Sequence, residues 1–135
     1  MRYVLGLFLV GHGLIHFSYL TPAPPQAATG AEWPFTMSKS WLVANLGMSV
    51  DLVRPIGAVL VAVVVICMVG AGLAAAGLFV SQDWWRPLVV TGALASVATL
   101  GIFFHPWIVI GLAIDAILLF LVLVNGWNPM ESVGS

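Results

Sequence analysis

The chain has 135 residues, and only nine of them are Asp, Glu, Lys or Arg. This leaves 7% charged against the ~25% of an ordinary soluble domain, with 61% hydrophobic residues and a mean hydropathy of +1.11. A soluble fold of this size lacks the interior for so much apolar surface, four basic residues against five acidic ones leave no basic patch for nucleic acid, and the lone Cys67 excludes an internal disulfide or a CxxC pair.

Residues 3–31, 55–82, 87–114 and 116–130 carry no Asp, Glu, Lys or Arg at all. A bilayer core of ~30 Å needs about 20 helical residues. The first run predicts a span over 3–20, stopped by Thr21-Pro22-Ala23-Pro24-Pro25. Arg2 ahead of an apolar stretch also suits a secretory signal, but two histidines inside the stretch and its length favour a retained span. The loop 21–53 is too long for a plain connection. Its 38–48 portion has a serine start, an apolar middle and a glycine near the end, which predicts a short helix lying at the interface or capping the bundle.

The second span is predicted over 54–80, opening at Arg54-Pro55 with Asp51 as a cap. A polar and aromatic turn at 81–87 leads to a third span over 87–104, punctuated by His105-Pro106. The fourth covers 107–124 and closes at Asn125-Gly126-Trp127-Asn128-Pro129. Continuous instead of alternating apolar runs select helices over barrel strands. Small residues at spacing four (Gly70/Ala74, Gly72/Ala76, Gly92/Ser96, Ala95/Thr99) read as close-packing faces. The expected fold is therefore a single all-α integral membrane domain over 1–135: a four-transmembrane-helix bundle with a short interfacial helix in the long first loop. Trp33, Trp41 and Trp107 on one side, and Trp84, Trp85 and Trp127 on the other, predict two interfacial belts. Arg2 and Arg86 balance Lys39 and Arg54 across the membrane, and the N-terminal amine and the tight Arg86 turn tip both termini toward the cytoplasm.

Ionisable residues inside spans are costly and each needs an account. His12 and His16 stand at i, i+4 and look the same way from one helix. At ~1.5 Å per residue, His12 lies roughly 13 Å inside the Thr21 end and Asp115 roughly 15 Å deep from the same surface. His105, Arg54, Asp51 and Glu32 fall on that side too, while Arg2, Asp83, Arg86 and Glu131 mark the other. A carboxylate as deep as Asp115 must be paired or protonated. His12 and His16 with Asp115 form a metal-ligand set by residue type, and one of the two histidines with His105 could ligate haem. A His–Asp pair also suits a quinone carbonyl or a proton relay. The Glu of HExxH is missing, so no zinc-protease reading holds. Each residue has a structural reading as well: His12 as a cross-bundle hydrogen bonder, His16 facing headgroups, His105 as a turn residue and Arg54 snorkelling.

His12-Gly13-Leu14-Ile15-His16, Arg54-Pro55-Ile56-Gly57 and Trp84-Trp85-Arg86-Pro87 resemble, together with the span layout, small bacterial four-span proteins of the DoxX-like type. The resemblance implies a four-helix bundle in a bacterial cytoplasmic membrane and a link to quinone-coupled sulfur oxidation or oxidative-stress complexes. It carries over His12, His16 and Arg54 as motif positions, whereas Phe104-His105-Pro106-Trp107 replaces a more polar segment. An accessory or structural membrane subunit is the first functional expectation, with the lipid bilayer and membrane-protein partners or further copies of the chain as its contacts. The alternative is a redox-linked protein holding a quinone, haem or transition metal at His12, His16, His105, Asp115 and Arg54. A small transporter or proton relay is the second alternative.

Overall fold

The apolar runs fold as helices, and no strand forms among the described residues. The computed structural model describes residues 1–23, 25, 30 and 32–129; Glu131 and part of the Pro- and Ala-rich stretch lie outside them. Helix α1 covers Arg2–Ile15 and tightens into a 3₁₀ turn over His16–Leu20. Helices α2 (Trp41–Leu46) and α3 (Val50–Ala76) follow. Helix α4 (Trp85–Ile102) is entered through a 3₁₀ turn at Gln82–Trp84. Helix α5 (Val109–Leu119) is entered through Pro106–Ile108 and leaves as a π turn over Phe120–Val124.

With their flanking turns, four of these helices are long and apolar enough to cross a membrane. Only 22–39% of each span is buried inside the bundle. Leu7, Val59, Ile66 and Ile110 face outward instead, a distribution that lipid stabilises and water does not.

Helix α3 departs from its predicted bounds at both ends. It starts after Ser49, so Asp51 lies in its first turn instead of capping it, and Pro55 sits inside the helix. The missing proline N–H forfeits one hydrogen bond near the exposed helix start, where water can replace it. The helix stops at Ala76, short of 80, because Gly77 takes a left-handed conformation (φ 72°). There the Gly77 N–H donates to the Ala74 carbonyl at 3.0 Å and the Leu78 N–H to the Leu73 carbonyl at 2.9 Å.

The short helix expected in the loop is α2, and it caps the bundle. Ser40 Oγ accepts from the Leu42 N–H at 3.2 Å and donates to the Ile102 carbonyl at 2.9 Å. The Trp41 indole N–H donates to the Gly101 carbonyl at 2.8 Å. Both carbonyls belong to the last turn of α4, which has no helical donors of its own.

Helices α1 and α3 meet through glycines. A Cβ on Gly6 would stand 2.7 Å from the Gly72 carbonyl oxygen, and one on Gly13 would stand 2.7 Å from the Met68 Cβ. Gly92 presses in the same way on Cys67 and Met68, so two of the predicted small-residue faces do bring backbones together. Two apolar clusters result. Leu9, Val64, Met68, Ala71, Val89 and Val122 fill the half nearer the termini, and Tyr19, Val53, Val61, Leu100 and Phe103 fill the half nearer the long loop. Trp85 opens α4 at the level of the expected interfacial belt but faces inward. It is 2% exposed and packs edge-on against Trp127 at 5.7 Å, because the turn before α4 rolls it into the bundle.

Gly11 and Gly13 flank His12 but differ in surroundings, since a Cβ at Gly11 meets nothing within 4 Å among the described residues. Gly13→Ala is expected to lower the melting temperature in detergent by forcing α1 off α3. Gly11→Ala should leave it unchanged or raise it, by up to about 1 kcal/mol from the gain in helix propensity. Thermal unfolding of the two variants side by side measures this.

Candidate functional site

Between the two apolar clusters runs a chain of buried polar groups. His12 and His16 are one helical turn apart on α1 and its 3₁₀ extension, Ser96 is on α4, and Asp115 is in the middle of α5. Asp115 and Ser96 have no exposed surface, and His16 is 2% exposed. The His12 Nε2 stands 2.9 Å from Asp115 Oδ1. Asp115 Oδ2 stands 2.5 Å from Ser96 Oγ, which is itself 2.9 Å from His16 Nε2. The chain returns to its start through His16 Nδ1–H, which donates to the His12 carbonyl at 3.1 Å. The depth match read from the sequence is thus a direct contact.

An aromatic column holds the two imidazoles in place. Phe8 stacks on His12 at 6.1 Å with an interplanar angle of 10°, and His12 meets His16 edge-on at 5.5 Å. Tyr19 follows at 6.4 Å and packs in turn on Phe103. The spacing of four, four and three residues keeps all four rings on one helix face. Beside the chain, a cavity of about 270 Å³ opens between α1 and α5, lined by His12, His16, Leu100, Trp107, Gly111 and Ile114 among others. Its walls are apolar apart from the two imidazoles.

The remaining candidates lie elsewhere. His105 Nδ1 accepts the Trp107 backbone N–H at 3.2 Å and so caps the turn into α5. Arg54 is exposed at the start of α3, on the wall of a separate pocket with Asp51 and Tyr19. Neither has a hydrogen bond to the buried chain among the described residues. Glu32 pairs with Lys39 on the surface, and that ammonium holds its carboxyl below the usual carboxylate range.

Among the described residues, no group of three or more His, Cys, Asp or Glu side chains is arranged to hold a metal ion. Both ring nitrogens of His16 and the Nε2 of His12 are already engaged, so ligation of a metal or a haem iron through any of these three nitrogens would first break this chain. Ser96 is the member that the sequence does not single out, because its spacing from Gly92 marks it as a packing position. The only signal pointing to it was its place near the middle of a span, level with the other polar residues. Comparison with protein-family models, with curated proteins and with solved structures gives no match.

Removing one member of a buried polar pair leaves the other without its partner. His12→Leu and Asp115→Leu should each destabilise the bundle, Asp115→Leu by less because a neutral imidazole is cheaper to orphan than a carboxyl group. The double variant should be more stable than the sum of the two, with a coupling of about 1–3 kcal/mol. A double-mutant cycle on thermal stability in detergent reads this directly, and strict additivity would mean that the contact is not formed.

Proposed function

We propose that this protein is an accessory subunit of a bacterial cytoplasmic membrane, with both termini inside, whose His12–Asp115–Ser96–His16 chain is a proton-exchanging site. The observation that carries this reading is that, with a neutral His12 whose Nε2–H donates to Asp115 Oδ1, the donor and acceptor count of the chain closes in two ways. The His12 carbonyl can only accept, so His16 Nδ1 holds a hydrogen in both. In the first arrangement Asp115 is a carboxylic acid: it donates to Ser96 Oγ, and the serine hydroxyl donates to a neutral His16 Nε2. In the second, the Asp115 hydrogen has moved to Ser96, and the serine's own hydrogen has moved to His16. The result is a carboxylate and an imidazolium bridged by the same hydroxyl. No proton is gained or lost between them.

Separating charge in a low-dielectric interior costs several kcal/mol per ion, so the neutral arrangement is the resting one. A group in the cavity that takes or gives a proton at either imidazole tips the balance. The apolar cluster of Leu9, Val64, Met68 and Val122 closes the other half of the bundle, which supports a service role beside a partner over transport by this chain alone. The span layout and the resemblance to DoxX-like proteins agree with such a role.

A second reading, a redox-linked protein holding a quinone, is favoured by the cavity. Apolar walls with two hydrogen-bonding imidazoles suit a ring that carries an oxygen and enters sideways from the lipid. Titration with a short-chain quinone should quench Trp107, which lines the cavity, and should not do so in His12→Leu.

Infrared spectroscopy of the purified protein tests the proton-exchange reading. A protonated carboxyl band is expected at neutral pH; it should vanish in Asp115→Asn and shift in Ser96→Ala. Absence of the band, or its indifference to Ser96, would overturn the reading.

A further inference from the structure

At the long-loop end of the bundle lies a larger pocket of about 600 Å³, formed by the end of the first span, the segment before α2 and the start of α3. We propose that it binds the headgroup of an aminophospholipid, a phosphodiester carrying a primary ammonium, as in phosphatidylethanolamine.

Three observations point to this occupant. The first is an unpaired cation. Arg2 donates to the Tyr3 hydroxyl, Lys39 to Glu32 and Arg86 to the Val122 carbonyl. Arg54 alone of the four basic residues has no hydrogen-bond or ion-pair partner among the described residues, and it lines the pocket. The second is the matching anion. Asp51, three residues earlier on α3, lines the same pocket and forms no ion pair with Arg54. One wall therefore offers a separate positive and negative group, which suits a zwitterion better than an anion alone. The third is Tyr19. It is 5% exposed and lines the pocket, yet its buried hydroxyl has no hydrogen-bond partner among the described residues. Buried hydroxyls are rarely left so.

The level of the pocket selects a lipid as the source of this chemistry. Leu20 ends the first span and Val50 opens the second, so the pocket stands where headgroups lie. Leu20 lines it, and the exposed Leu20 and Phe17 offer apolar surface for an acyl chain. The guanidinium and the tyrosine hydroxyl would donate to phosphate oxygens, and the ammonium would donate to the Asp51 carboxylate. A quaternary choline has no N–H to give Asp51, and a glycerol headgroup has no charge to set against it.

Native mass spectrometry of the detergent-purified protein, with phosphatidylethanolamine, phosphatidylcholine and phosphatidylglycerol of identical acyl chains, tests this. The ethanolamine lipid is expected to bind at least about tenfold more tightly than either of the others. Arg54→Gln should abolish retention of the phosphodiester lipids, Asp51→Asn should level ethanolamine with choline, and Tyr19→Phe should weaken both. Arg54 and Asp51 are exposed, so their variants should keep the fold, and unchanged helical circular dichroism checks that. Equal retention of the three lipids, or an ethanolamine preference that survives both Arg54→Gln and Asp51→Asn, would overturn the proposal. Soluble phosphoethanolamine binding as tightly as the lipid would overturn the lipid as occupant.

Discussion

A carboxyl group with no exposed surface, in the middle of an apolar helix, sets the conditions that the rest of the bundle meets. Asp115 can be kept there only if donors or a proton come to it, and lipid provides neither. The first span brings two imidazoles and α4 brings a hydroxyl, so three of the four long helices are tied to one side chain. Helix α3 adds no group to the chain. Its part is to let α1 come close, through Gly72 against Gly6 and Met68 against Gly13, so that His12 and His16 are held at the right height and rotation.

The bundle is chemically lopsided. The half nearer the termini is packed with Leu, Val, Met, Ala and the buried Trp85, and Arg86 finishes it at the surface. The half nearer the long loop holds the buried chain, the cavity on its histidines and the pocket with Arg54 and Asp51. α2 and the loop around it roof that half, with Ser40 and Trp41 closing the end of α4. Polar groups are thus concentrated where one leaflet meets the bundle centre, and the other leaflet sees an ordinary apolar plug.

Much of this is legible in the sequence, for identifiable reasons. Charge-free runs of span length report helices directly because hydrocarbon tolerates little else. Counting 1.5 Å per residue from a proline-bounded end gives height, which is why His12 and Asp115 could be matched. Height is not direction around the bundle axis. Arg54 and His105 share the same half of the membrane with His12, yet Arg54 faces a different pocket and His105 turns to its own helix start. Ser96 was hidden by its size, since one small side chain serves close packing and hydrogen bonding alike. The bounds of α3 are less legible, because Arg54-Pro55 suggests a beginning, whereas Ser49 and the left-handed Gly77 are the true punctuation.

The contact between His12 and Asp115 joins residues 103 apart in the chain. At ribosomal rates of about 5–20 residues per second, the first helix precedes its partner by roughly 5–20 s. During that interval α1 must reside among lipids with two imidazoles and no carboxyl group. The bond from His16 Nδ1–H to the His12 carbonyl lies entirely within the first span, so one of the two rings already has a local acceptor before any other helix arrives. Gly6 and Gly13 then offer α3 a seam to dock on, sheltering those rings while synthesis continues. The order of the helices along the chain thereby becomes an order of protection during insertion, with the costliest residue delivered last into a place already prepared for it.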